Sequence, residues 1–172
     1  MQPSPLNILR GVDHFAVTVP DIEEAHEFLV GLLGAQLEYT MTGGEGEENW
    51  DARQRGLPPG VDIKEVRMYL LGHGPKIQVF EFKGGERRQE MPKNCDVGGI
   101  HIALYVNDIE GAVEHLKHNG VEVIGEPLSG TGPIEGQRWV YFMSPWGQMF
   151  ELVSFPDGRA FEYGKAYTHG RR

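Results

Sequence analysis

The sequence predicts an α+β fold: two βαβββ modules forming an incomplete barrel with a shared cleft. Two internal echoes predict it. Gly11–Leu29 (GVDHFAVTVPDIEEAHEFL) is replayed by Gly98–Leu116 (GGIHIALYVNDIEGAVEHL) at an offset of 87 residues (101 − 14). Gly, His, Ala, Val, Asp, Ile, Glu, Ala, Glu and Leu recur in step. Gly74–Phe82 (GPKIQVFEF) is echoed by Gly147–Phe155 (GQMFELVSF) at an offset of 73 (147 − 74), which sets Gln78 opposite Glu151. A repeat this long marks a duplicated module, because solenoid repeats run about 20–50 residues.

The elements follow from local pattern. Val12 to Val19 mixes β-branched residues with His14 and Thr18 and reads as a strand. Pro20-Asp21 ends it. Asp21 is the expected N-cap of a helix, with Glu23 and Glu24 in the first turn, where the helix dipole favours negative charge. Ile22, Ala25, Phe28, Leu29 and Leu32 fall at helical spacing, and Gly34 closes the helix. Ala35 to Tyr39 is a second strand. The acidic stretch Thr42 to Gly60, with Glu45, Glu47, Glu48 and Trp50, is too rich in Gly and Pro for regular structure and reads as a lid or contact loop. Glu65 to Leu71 and Lys76 to Phe82 are strands joined by Gly72-His73-Gly74-Pro75. In the second strand Gln78, Phe80 and Phe82 share one face, and Ile77, Val79 and Glu81 the other. Gly84 to Gly99 is the polar linker between the copies.

The second copy repeats the order. A strand around Ile100 to Val106 precedes a helix from Asp108 to about Lys117, closed by Gly120. Val121 to Ile124 is a short strand, and Leu128 to Arg138 a Gly-rich hairpin loop. Trp139 to Met143 and Met149 to Val153 are the last two strands, joined by Ser144-Pro145-Trp146-Gly147. The aromatic tail packs back on the body at least as far as Tyr163.

Composition bounds the function. A net charge of −9 over 172 residues disfavours nucleic acid, whose phosphates need a basic surface. Arg171-Arg172 is a terminal pair, read as solvated tail. A single cysteine, Cys95, excludes a disulfide framework and a Cys-rich zinc site. No stretch approaches the roughly 20 apolar residues of a membrane helix, and the first ten residues lack a signal-peptide pattern, so the expected location is cytoplasmic.

Equivalent positions in a two-fold repeat occupy symmetry-related places. If the first and fourth strands of each module line the cleft, His14, Gln78, His101 and Glu151 converge. Two imidazoles, a carboxylate and an amide oxygen suit a divalent metal of intermediate hardness with positions open to water or substrate. A lone strand histidine is more often a core or surface group than a ligand; two in register, each paired with a polar residue on an apolar final strand, leave a metal site and the ordinary structural role equally open.

DHFAVTVPDIEEAHEF, GGIHIALYVNDIEGAVEHL, the GTG segment Gly130–Gly132 and FMSPWGQMFELVSFP resemble the vicinal oxygen chelate superfamily. That group includes glyoxalase I, methylmalonyl-CoA epimerase, extradiol dioxygenases and fosfomycin-resistance proteins. The resemblance spans roughly Val12 to Pro156, apart from the Thr42–Gly60 loop. It implies one domain over 1–172, with modules at about 10–83 and 97–156 and a tail at 157–172, assembled as a homodimer. It also implies metal ligands at His14, Gln78, His101 and Glu151 for Co, Ni, Mn, Zn or Fe.

Gln78 stands where glyoxalase I has Glu, and KIQVFEF and the GTG loop resemble the epimerase. The epimerase places a glutamate base near Glu65, but the alignment slips by one residue, which flips a strand side chain to the other face. Ile100-His101 replaces the epimerase's His-His pair, so a coenzyme A thioester is not implied with certainty.

The expected chemistry is metal-assisted proton abstraction beside a carbonyl in a small molecule with two neighbouring oxygens. Glu151 or Glu65 is the base, and Arg67, Phe80, Tyr105, Trp139, Tyr141 and Met143 contact the substrate. Trp139, Tyr141 and Met143 share a strand face, where a core role and a pocket-wall role are equally open. Epimerisation leads; the alternatives are glyoxalase-like isomerisation (a lyase), Fe(II) extradiol cleavage and non-catalytic binding or resistance.

Overall fold

The computed structural model describes residues 11–43 and 56–160, distributed over two compact units, Met1–Gln89 and Glu90–Arg172. Trp50, the glutamates of the acidic loop, Tyr163 and the arginine tail lie outside the described residues.

In the first unit, β1 (His14–Thr18) leads into α1 (Ile22–His26), then β2 (Gln36–Thr42), β3 (Asp62–Leu70) and β4 (Lys76–Lys83). The sheet order is β1-β4-β3-β2, with β1 parallel to β4 and the other pairs antiparallel. The second unit repeats this with β5 (His101–Tyr105), α2 (Ile109–His118), β6 (Val123–Ser129), β7 (Arg138–Met143) and β8 (Met149–Ser154), in the order β5-β8-β7-β6. Two βαβββ modules, each a four-stranded mixed sheet with a helix between its first two strands, are what the repeat predicts; the second also carries a short 3-10 turn at Gly132–Ile134.

The helices start where the sequence places their caps. Asp21 Oδ1 accepts the amides of Glu23 (2.8 Å) and Glu24 (3.1 Å), and Asp108 Oδ1 accepts that of Gly111 at 3.0 Å. Each cap satisfies donors that the first helical turn leaves without partners. Ile22, Ala25, Phe28 and Leu29 are buried in the first unit, and Ile109, Val113 and Leu116 in the second. Each large one contributes about 1.5–3 kcal/mol by leaving water.

Two expectations needed revision. The first helix is α-helical only to His26 and winds on as π turns over Glu27–Leu32. Apolar spacing does not distinguish the two windings over so short a run. The strand expected at Val121 to Ile124 starts at Val123 and runs to Ser129, across Gly125 and Pro127. Its pairing with β7 shifts between Ile124 and Leu128, so an irregular edge strand absorbs residues that composition assigns to a loop.

Register fixes which side chains share a face, because residues directly opposite on paired strands point the same way. In the first unit one face carries Ile77, Val79 and Glu81 of β4, all buried. Here the Ile22 amide donates to Glu81 Oε2 at 3.3 Å, so this is the helix side. Gln78, Phe80 and Phe82 lie on the opposite face, half-buried. In the second unit Phe150 and Leu152 are buried on the helix side, and His101, Ala103 and Tyr105 take the other face. Among the described residues no helix is long and apolar enough to cross a membrane.

Candidate functional site

The second unit brings two of the expected ligands into contact. Parallel pairing of β5 with β8 sets His101 opposite Met149 and Ala103 opposite Glu151. His101 and Glu151 therefore share a face one diagonal step apart, and His101 Nε2 stands 3.1 Å from Glu151 Oε2. The other ring nitrogen, Nδ1, is 3.1 Å from Asn94 Oδ1. An amide oxygen only accepts, so Nδ1–H donates to it and Nε2 is the ring nitrogen that faces the carboxylate. Nε2 and the carboxylate oxygen can hold either a proton or a metal ion between them. Two adjacent donors on an ion with bonds near 2.1 Å stand about 3 Å apart, so this spacing fits a divalent cation.

The surroundings favour that use. Glu151 is buried on β8, and burial pushes its carboxyl up from the ordinary range while His101 pulls it back. Tyr141 lies opposite Glu151 on β7 and meets the His101 ring edge-on at 5.4 Å. Its phenol is also raised, by burial first and the Glu151 charge second. Gln148, 1 % exposed, donates from Nε2 to the Ile100 carbonyl at 2.8 Å and ties the start of β5 to the β7–β8 turn. That bond fixes the backbone immediately before His101.

The first unit has the same register with different chemistry. His14 pairs with Lys76 and Ala16 with Gln78, so His14 and Gln78 repeat the diagonal of His101 and Glu151. His14 Nδ1 is 2.7 Å from Asp13 Oδ2, a carboxylate partner that leaves Nε2 on the far side of the ring. Gln78 Nε2 donates to the Tyr39 hydroxyl at 3.4 Å, so its amide oxygen points away from that contact. Among the described residues no three His, Cys, Asp or Glu side chains come together as a metal cage. The contact that is formed is the His101–Glu151 pair.

A family model for the glyoxalase, bleomycin resistance protein and dioxygenase superfamily matches residues 13–141. The chain belongs to this superfamily. Among curated relatives of this superfamily member, a 2-epi-5-epi-valiolone epimerase from an Actinomyces species is 39 % identical over 153 residues, covering 88 % of this chain and 82 % of the relative. An uncharacterised Bacillus subtilis protein, YwkD, is 27 % identical over 139 residues, covering 80 % and 91 %. A glyoxalase family protein from Bacillus cereus superposes with a TM-score of 0.68 at 23 % identity, over 88 % of this chain and 97 % of that one. The fosfomycin resistance protein FosX of Listeria monocytogenes, solved with Mn(II) and sulfate, gives 0.57 at 23 %, over 91 % and 99 %. Those two likenesses concern the fold.

The superfamily's sheets place the remaining candidates clearly. Tyr105, Trp139, Tyr141 and Met143 share the Glu151 face, by their pairing with Val153, Val153, Glu151 and Met149. Tyr105 is 56 % exposed and stacks on Phe155 at 4.3 Å. Phe80 shares the Gln78 face and stacks on Phe82 at 5.5 Å.

Glu65 and Arg67 do not join them. Glu65 pairs with Glu81 and Arg67 with Val79, which puts both on the helix side, away from Gln78. A pairing shift falls between Ile63 and Glu65, and one residue of shift decides which face a strand side chain takes. There Arg67 Nε donates to Glu65 Oε1 at 2.6 Å, and its remaining nitrogens donate to Glu23 in the first turn of α1. Both side chains are therefore committed to holding helix against sheet. The Gln78 face of β3 carries Val66 and Met68 instead.

Sequence reasoning passed over Asp13, Tyr39, Asn94 and Gln148. The Asp13-His14 dipeptide is visible in the sequence, whereas the other three reach their partners only through register or a turn.

Proposed function

We propose that the protein is a divalent-metal-dependent epimerase acting on a carbon next to a carbonyl in a small hydroxylated ketone. The observation carrying this reading is the 3.1 Å approach of His101 Nε2 to Glu151 Oε2, at a strand register that His14 and Gln78 repeat. The 39 % identical 2-epi-5-epi-valiolone epimerase supports the reaction class, and its substrate's name supports a cyclic polyhydroxylated ketone. The Mn(II) bound by FosX supports a divalent ion.

In this reading His14, Gln78, His101 and Glu151 hold the ion, in a single domain working as a cytoplasmic homodimer. When bound, the ion supplies Lewis-acid stabilisation of charge developing on the substrate's carbonyl oxygen. A ketone with a neighbouring hydroxyl presents the two adjacent oxygens such a site takes.

Glu151 would leave the ion to serve as the base, its freed carboxylate oxygen taking the proton from the substrate carbon. Without the ion, burial already pushes that carboxyl up from its ordinary range, in the direction that favours taking a proton. Delivery of a proton by a water molecule on the opposite face of that carbon inverts the centre, and the proton held by Glu151 passes to solvent. Tyr105, Trp139, Tyr141, Met143 and Phe80 pack against the substrate and keep bulk water from the transient anion. Gln78 contributes a neutral donor, leaving more of the cation's charge for the substrate than a second carboxylate would.

The test is metal analysis of protein purified without added ions, followed by incubation with a chiral cyclic hydroxyketone in deuterated water. One bound ion per chain, with deuterium entering the carbon beside the carbonyl as the centre inverts, is the expected result. Refusal of Co²⁺, Ni²⁺ and Mn²⁺, or no exchange by the loaded protein, would overturn the reading. Oxygen consumption with catechols would turn it towards ring cleavage.

A further inference from the structure

The segment of the second unit that leads into β5 carries a device that the proposed chemistry does not by itself require. Residues 93–99 form a tight turn: the Lys93 amide donates to Asp96 Oδ2 at 2.8 Å, the Asp96 amide to the Lys93 carbonyl at 2.9 Å, and the Gly99 amide to the Asp96 carbonyl at 2.8 Å. The turn closes so tightly on Gly99 that a Cβ there would collide with the Lys93 carbonyl oxygen. Any other residue forces the loop open.

Two residues beyond Gly99 lies His101, and the turn delivers Asn94 back onto its ring, with Oδ1 3.1 Å from Nδ1. The Gln148 side chain holds the intervening Ile100 carbonyl at 2.8 Å. The histidine is thus gripped from its backbone and from the ring nitrogen that does not face Glu151.

We propose that Asn94 is a positioning residue that locks His101 in the tautomer with the proton on Nδ1, so that Nε2 offers its lone pair beside Glu151. This rests on the metal-site reading above, and it extends that reading to a residue outside both sheets. Free imidazole distributes its proton over both nitrogens. A fixed acceptor at Nδ1 removes that choice and sets the ring plane. The first unit meets the same need differently, with the neighbouring Asp13 carboxylate at 2.7 Å from His14 Nδ1. An amide at His101 orients the ring without placing a second negative charge beside Glu151.

The test compares Asn94→Ala and Asn94→Asp with the parent in metal-free protein, reading the His101 ring nitrogens by ¹⁵N NMR, and then titrates Co²⁺ alone. In the parent the Nδ1–H tautomer dominates. Asn94→Ala mixes the tautomers and weakens Co²⁺ about 10- to 100-fold, the usual cost of losing an outer-shell partner. Asn94→Asp restores both, and all three proteins melt within a few degrees of each other. An Asn94→Ala protein with the parental tautomer, or with Co²⁺ affinity within twofold of the parent, overturns the proposal. So does failure of Asn94→Asp to restore the tautomer. A parent that binds no Co²⁺ defeats the metal-site reading, while the tautomer measurement still decides the role of Asn94.

Discussion

The two units repeat one plan at an offset of 87 residues and spend it differently. In the first, the histidine on β1 leans on a neighbouring carboxylate, and the polar residue on β4 is the neutral Gln78. In the second, the histidine on β5 leans on a neutral amide, and the polar residue on β8 is the buried carboxylate Glu151. Each half pairs one charged group with one neutral group, in opposite order. Duplication supplies the same strand register twice, and different side chains at that register make the two units chemically unequal. In the proposed epimerisation that inequality lets one particular group, Glu151, take the substrate's proton.

Removing it is the harshest test. Glu151→Gln makes the last-strand donors alike and neutral; turnover is expected to fall by at least about a thousandfold in the deuterium-exchange assay, with the fold intact by circular dichroism. Gln78→Glu makes them alike and charged. There Co²⁺ binding is expected to hold or tighten while kcat drops about tenfold or more, since a second carboxylate neutralises the ion's pull on the substrate. Equal losses of binding and turnover in Gln78→Glu would show that the neutral donor matters only for fit.

The helix attachments repeat the contrast. Arg67 ties Glu23 of α1 to the first sheet and is itself buried, with the largely buried Glu65 as a second partner. Arg138 ties Glu110 of α2 to the second sheet at 2.5 Å and is 36 % exposed. Arg67→Met strands a buried carboxylate and should cost about 3 kcal/mol in urea unfolding, whereas Arg138→Met should cost under about 1 kcal/mol. Similar values for both would mean that Glu65 is hydrated when unpaired.

The smallest effect is a pH dependence. The Arg67 guanidinium beside Glu23 holds that carboxyl below its usual range. A group whose pKa is lower folded than unfolded stabilises the fold above the unfolded value, and that contribution is lost as pH falls through the folded one. Melting temperature should therefore decline on acidification below the ordinary carboxylate range, and Glu23→Gln should flatten part of that decline.

Much of the fold was legible because duplication writes it twice. The Asp21 and Asp108 caps, the alternation through β4 and the shared faces of Trp139, Tyr141 and Met143 all follow from periods of 3.6 and 2. The metal candidates His14, Gln78, His101 and Glu151 surfaced the same way, as polar residues recurring in apolar strands. The face Glu65 takes was not legible, because a pairing shift next to it is invisible in composition and one residue decides between the Gln78 face and the helix side. Asn94 escaped because seven residues of turn separate it from the ring it touches, and no periodicity links the two.

By itself, then, the sequence determined the number of modules, the order of their elements and which strand residues could coordinate an ion, since these depend on local propensity and on comparing one half with the other. Tertiary structure alone decided that Arg67 and Glu65 brace a helix, that His101 meets Glu151, and that a linker turn grips the far side of that imidazole. Those outcomes depend on strand register and close backbone approach, and a chain acquires both only when distant segments pair.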